Sequence, residues 1–199
     1  MKYDAEKGPN RNGKILSRLV LFVAVIAFVS GAYLLFLTQA PKLTFLSKTP
    51  ELKQAEVGDN RIIIPSAKID IGIFEGGEEA LDKGAWHRYP ERGNPVRGGN
   101  FIVSAHRFGL GATPKETRIN SAFYNIEQLS EGDKIVIHWD GKSYEYEVTK
   151  KFQVDPDAVE VEDPREDHVL TMYSCTLGGR YDGRIVVEAK PKFEVKKSK

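Results

Sequence analysis

The sequence predicts a mainly β domain, a closed or nearly closed antiparallel barrel or a sandwich with short helices, preceded by one N-terminal transmembrane helix. Three observations predict it. Residues 19–37 (LVLFVAVIAFVSGAYLLFL) carry no charge. Beyond residue 60, apolar and β-branched residues recur with a period of two in short runs, the pattern of strands with one buried face. Gly, Pro and Asp separate those runs, and helical periodicity is confined to short pieces.

The chain opens on a polar stretch, 1–14, in which Gly8, Pro9 and Gly13 disfavour a helix, and it reads as a disordered tail. Lys2, Lys7, Arg11, Lys14 and Arg18 make 1–18 a basic segment, which the positive-inside rule places in the cytoplasm. A helix over 19–37 is about 28 Å long, close to the hydrocarbon thickness of a bilayer. Everything after it lies outside the cell membrane in this single-pass reading. A cleaved signal peptide is the alternative, because Thr38-Gln39-Ala40 resembles a small-residue cleavage site; the apolar run is longer than a usual signal, which favours a retained anchor. A buried core helix fits less well, since no face of the run is polar. Residues 38–60 read as a stalk, with a short helix around 50–57, and 61–199 as the exported domain.

Within that domain, strand signals fall at 62–65, 67–74, 101–105, 134–139, 143–154, 169–175 and 184–189. Asp140-Gly141 between two such runs is a strong hairpin signal. The segments 85–90 and 107–118 read as loops, 122–129 as a short helix, and 176–183 as a glycine-rich loop.

Composition narrows the function. One cysteine in 199 residues excludes an internal disulfide and a zinc site of several thiolates. With 29 basic against 28 acidic residues, no global field draws the protein to nucleic acid or to acidic substrates.

The chemistry concentrates near the C-terminus. Cys175 ends one strand and Arg184 begins the next, so an antiparallel hairpin sets them at the same mouth of the sheet. A thiol beside a guanidinium is the setting of a nucleophilic cysteine, because the thiolate is the reactive form; a small buried apolar role for Cys175 and a surface ion pair for Arg184 are the plainer alternatives. His106 follows the strand 101–105 and precedes a long loop, where imidazole can face a cleft and exchange a proton. His87, His138 and His168 read as structural, His168 lying out of step with Cys175. The acidic residues between Asp155 and Asp167 could offer oxygen ligands to calcium, but the spaced Asp-x-Asp-x-Asp-Gly pattern is missing, and the stretch reads as a solvated, mobile loop. No cofactor is expected.

This set resembles the sortases, the bacterial cysteine transpeptidases, over about residues 55–190 and the anchor. The family's Thr-Leu-x-Thr-Cys is matched by Thr171-Met172-Tyr173-Ser174-Cys175, its Arg-Leu/Ile-Val-Val by Arg184-Ile185-Val186-Val187, and its Gly-His-Arg by Ala105-His106-Arg107. Ile63-Ile64-Pro65 and the stretch from Gly84-Ala85-Trp86-His87 to Gly98-Gly99-Asn100 look similar too. The resemblance implies a sortase-like barrel with Cys175 as nucleophile, His106 as general acid and base, Arg184 as stabiliser of oxyanion or substrate, and Ala105 and Ser174 beside the substrate. It implies surface proteins bearing a Leu-Pro-x-Thr-Gly-like sorting signal as donors, and an amine of a cell-wall precursor or another protein as acceptor. Pilin-polymerising members often carry an Asp-Pro-aromatic lid and a C-terminal membrane segment. Neither pattern is visible, so the expected form is compact and class D- or E-like, anchoring proteins to the wall. A pilin-polymerising enzyme and a non-catalytic exported binding module remain the alternatives. A papain-like protease would place cysteine before histidine, and an L,D-transpeptidase would carry a Ser-His-Gly-Cys cluster.

Overall fold

The computed structural model describes residues 11–43 and 58–192. The helix expected at 50–57 and the first ten residues of the tail lie outside them. Residues 11–14, expected as coil, are instead the first turn of helix α1 (Arg11–Gln39). Extending a helix already nucleated by the apolar run costs little per residue, and Ser17 Oγ donates to Lys14 O at 3.0 Å within the extension. Residues 14–30 are exposed throughout, and the fold buries only Leu37 and Ala40 near the helix end. This apolar helix is therefore not a core helix; its length and composition fit a membrane span.

Nine strands follow: β1 (Arg61–Ile64), β2 (Ile69–Phe74), β3 (Ala85–Arg88), β4 (Gly93–Asn94), β5 (Gly98–Ser104), β6 (Lys134–Trp139), β7 (Lys142–Val154), β8 (Val169–Thr176) and β9 (Gly179–Pro191). Their order is β3-β2-β1-β6-β7-β9-β8-β5-β4, and β3 also pairs with β5, which closes eight strands into a barrel. The mainly β, closed architecture is as expected. The pairings β2–β3 and β5–β8 are parallel, and the others around the ring are antiparallel.

Alternation sorts the side chains. Ile62 and Ile64 of β1, Phe101 and Val103 of β5, Leu170 and Met172 of β8, and Ile185 and Val187 of β9 meet inside the barrel. The hairpin between β6 and β7 turns on Asp140 (φ 48°) and Gly141 (φ 75°), the two positive-φ residues that suit the twist of a two-residue turn. At the crossing of β4 and β5, a Cβ on Gly99 would stand 2.3 Å from Arg92 O, so only glycine lets the chains approach.

Three local readings change. Residues 85–88 form β3, the strand that closes the ring, rather than a loop. Residues 114–119 form α2 (Pro114–Ile119), with Glu116 N donating to the side chain of Thr113 and Pro114 in the first turn. The stretch 122–129 is a chain of turns with a 3-10 segment at Ile126–Gln128 instead of an α-helix.

Candidate active site

The end of β8 is the centre of the site. In the β8–β9 pairing Cys175 stands directly opposite Arg184. Neighbours in that register project to the same face of the sheet. On the other side β8 pairs in parallel with β5, up to Ser104 opposite Tyr173. Ala105 continues the association: its N–H donates to Tyr173 O at 3.3 Å, and Ser174 Oγ donates to its carbonyl at 2.7 Å. The next residue along, His106, thus falls beside Cys175. Since Val103, Met172 and Ile185 point into the barrel, the alternate positions of His106, Cys175 and Arg184 all belong to its outer face.

Cys175 is half-buried and its thiol is free. The His106 side chain is 40% exposed, with Nε2 3.9 Å from Oδ1 of Asp82, on the turn Glu78–Asp82. The Arg184 Nη1 donates to Arg180 O at 2.9 Å and Gly183 O at 3.0 Å, which aligns the guanidinium along its own strand. Arg180, expected in a loop, is itself part of β9, because the strand resumes at Gly179 and the connection between β8 and β9 is short. Thr176 Oγ1 donating to Asp182 Oδ2 at 2.5 Å ties that hairpin. Ala105 and Ser174 are 3% and 2% exposed and bonded to each other. The Ser174 hydroxyl and the Ala105 main chain join the two strands.

The outer face beside Arg184 is roofed by the connection from β7 to β8. It contains a 3-10 segment, Val159–Glu162, and together with Arg88, Tyr173 and Arg184 it lines a cleft of about 130 Å³. A buried polar network fastens this roof. Glu162 is 7% exposed, not solvated as the acidic run suggests; its carboxylate accepts from the Tyr173 hydroxyl and pairs with Arg88 Nε at 3.0 Å. Arg88 Nη1 donates to Tyr173 Oη at 2.7 Å. Arg92 Nη1 donates to Glu162 O at 2.5 Å, and the Asn100 amide to Val161 O and Asp163 O at 3.1 and 2.8 Å. Asn100 Oδ1 in turn accepts from Thr171 Oγ1 at 2.6 Å, linking the roof to β8. Burial, with Glu162 alongside, pushes the Tyr173 phenol well above its ordinary range, so it stays a donor.

The sequence assigns no role to Arg88 or Asp82; Asn100 enters it only within Gly98-Gly99-Asn100, and Glu162 only among the acidic residues that could meet calcium. The other acidic residues of the segment are dispersed: Asp167 pairs with Arg165 at 2.9 Å and Lys190 at 3.5 Å. Among the described residues no three His, Cys, Asp or Glu side chains group as a metal would need.

His87 and His168 are held in place by the fold. His87 is 1% exposed, edge-on to Phe101 and Trp139. Its Nε2 lies 3.0 Å from Gly93 O, a group that only accepts, so this nitrogen carries the proton; burial holds the ring's pKa below the usual histidine value. His168 Nε2 lies 2.9 Å from Tyr146 Oη, and burial lowers its pKa as well.

Comparison with known proteins agrees with the fold. A family model described as the sortase domain matches residues 62–192. The chain is 26% identical over 175 residues to a sortase A of Bacillus anthracis, spanning 87% of this chain and 75% of that one. Among solved structures, sortase C1 of the GBS pilus island 1 superposes with a TM-score of 0.59 at 26% identity, over 84% of this chain and 85% of that one. A Clostridium perfringens sortase D5 transpeptidase superposes with a TM-score of 0.56 at 24% identity, over 78% and 88%. Carrying the family's domain over most of its length, the chain belongs to the sortase family of transpeptidases.

Proposed function

We propose that the protein is a membrane-anchored cysteine transpeptidase that cuts an LPxTG-like sorting signal and passes the surface protein to an amine of a cell-wall precursor. One observation carries the reading: Cys175 faces Arg184 in register while His106 arrives beside it from β5, all three on the outward parity at one end of adjacent strands. The Cys175 thiolate attacks the carbonyl carbon of the signal's threonine, and Arg184 donates to the oxyanion that forms. His106 protonates the departing amine as the C–N bond breaks, leaving a thioester on Sγ. It then takes a proton from the incoming amine, whose nitrogen displaces Sγ and restores the thiolate. Water in the same place gives hydrolysis. The roofed cleft beside Arg184, about 130 Å³, has room for one donor side chain and not for the whole extended peptide. The α1 helix anchors the domain outside the membrane, the basic residues before it staying in the cytoplasm.

A second reading, a pilin-polymerising enzyme whose acceptor is a protein lysine, is favoured by the likeness to the sortase C1 of a pilus island. The test is incubation with a sorting-signal peptide library and two acceptors, a short wall-type amine and a lysine-bearing pilin peptide, with product masses recorded. Transfer to the wall-type amine, a covalent adduct mapping to Cys175, and loss of both in Cys175→Ala with the fold retained are expected. Full turnover by the alanine variant sinks the mechanism; transfer to the lysine peptide alone moves the function to the second reading.

A further inference from the structure

Helix α1 and the barrel touch as well as follow one another. Tyr33 Oη donates to Ala112 O at 2.8 Å, and Leu37 and Ala40 are buried. The turn after the helix, at Pro41 and Lys42, shares a cleft of about 410 Å³ with Arg107, which follows His106, with Leu177, two residues after Cys175, and with Tyr124. Tyr33 lies four residues before Leu37, where the apolar run ends. Along the helix axis that is about 6 Å. The hydrogen bond therefore holds the segment 107–119 at a level inside the end of the apolar run, not above it.

That segment leaves Phe108, Leu110 and Ile119 exposed at 43%, 50% and 38%. Single exposed apolar side chains are ordinary on a soluble surface. Three on one segment, pinned beside a membrane-spanning helix, match the depth at which aromatic and aliphatic groups enter a bilayer interface. Lys115, exposed on α2, supplies a cation for the headgroup level.

We propose that the segment 107–119 is a second membrane contact, with Phe108, Leu110 and Ile119 seated in the interfacial zone of the outer leaflet. The partner is the phospholipid bilayer that holds α1, so the proposal rests on reading α1 as a retained anchor. Its consequence is positional. His106 immediately precedes the segment, so the catalytic mouth faces the membrane surface, where a lipid-borne amine acceptor and the membrane-proximal end of a donor are both presented.

The full chain in phosphatidylcholine–phosphatidylglycerol vesicles tests this. In a Cys175→Ala background, Leu110→Cys, Val25→Cys and Val96→Cys each carry one environment-sensitive fluorophore; Val96 is 63% exposed next to the start of β5, away from the His106 end. Spin-labelled lipid with the label near the headgroup should quench the Leu110 fluorophore roughly twofold or more over that at Val96, with iodide in the buffer quenching it less. Equal behaviour at Leu110 and Val96 overturns the contact while leaving the anchor in place. Shielding from iodide without quenching by lipid assigns the segment to a protein neighbour, another copy included, and also overturns it. Deeply placed spin label should quench at Val25; its failure overturns the anchor and the second contact together.

Discussion

The inner and outer faces of β5, β8 and β9 are made from the same residues in alternation, yet they are built differently. The inner face is mainly apolar: Phe101, Val103, Leu170, Met172, Ile185 and Val187 belong to one core cluster, with the His87 ring edge-on to Phe101. The outer face of the same strands carries Tyr173, Cys175, Arg184 and His106, with Ile102, Tyr173 and Val186 in a small separate cluster under the roof. The inner face holds the barrel closed through area removed from water, which needs no direction. The outer face depends on directed bonds to Glu162, Arg88 and Asn100, and those set where a peptide can lie. Stability and chemistry therefore separate by residue parity, and substitutions on the two faces should fail in different ways.

The inner face gives the largest thermodynamic effect. Met172 is fully buried. Met172→Ala should lower stability by about 2–5 kcal/mol through lost transfer and a residual cavity. Below its melting temperature the variant should retain kcat, since Cys175 and Arg184 pair through main-chain bonds. Chemical denaturation gives the first quantity and steady-state kinetics the second. A folded Met172→Ala protein with collapsed kcat would join the two faces and break the comparison.

Next comes the arginine. Arg184→Lys keeps the charge and loses the planar fork of donors. It should lower kcat about a hundredfold or more, the scale of one oxyanion donor, with little change in melting temperature. Arg180 is also on β9, so rigidity alone does not separate the two; register does, because Arg184 and not Arg180 stands opposite Cys175. Arg180→Lys should act mainly on KM. The opposite order in kcat would reassign the role.

A smaller effect belongs to the roof. Glu162→Gln preserves shape and removes the charge that receives Arg88 and Tyr173. Loosening the 3-10 segment beside Arg184 should raise KM for the donor peptide more than it lowers kcat, with a stability cost of about 1–3 kcal/mol. A change confined to kcat would instead place Glu162 in the chemistry.

The two faces also differ in how far the sequence discloses them. The inner face is written in alternation, so β1, β5, β6, β7, β8 and β9 are readable, and parity alone sets Cys175 and Arg184 on one side. Long-range choices are not local in sequence. Nothing in Ala85-Trp86-His87-Arg88 states that this short run pairs with β5 and closes the ring, or that β2–β3 and β5–β8 run parallel. The burial of Glu162 is invisible for the same reason: it lies among acidic neighbours that remain outside, and only the fold brings Arg88 and Tyr173 to it. One missed element was legible. Thr113-Pro114-Lys115-Glu116 has the spacing of a capping box, and α2 begins there.

The last prediction probes the inner side through a polar residue. His87 is enclosed among Phe101 and Trp139, and burial, outweighing the Gly93 carbonyl and Glu75, holds its pKa below the 6.5 of a free histidine. His168, under Tyr146, is shifted in the same direction. In the unfolded chain both rings take a proton as pH falls through about 6.5, while in the folded barrel they resist it. Over that range the unfolded state binds more protons, so stability is fully present above pH 6.5 and declines as pH drops below it. Denaturation midpoints between pH 8 and 5 should show this decline in the wild type, and His87→Gln, which keeps a donor near Gly93 O without a titrating ring, should make it shallower, leaving the share of His168. The carboxyl shifts at Glu79 and Asp167 act at lower pH and leave this window clear. If the histidine and glutamine proteins lose stability along the same slope, His87 is not held neutral by the core, and the inner face is less dry than its packing indicates.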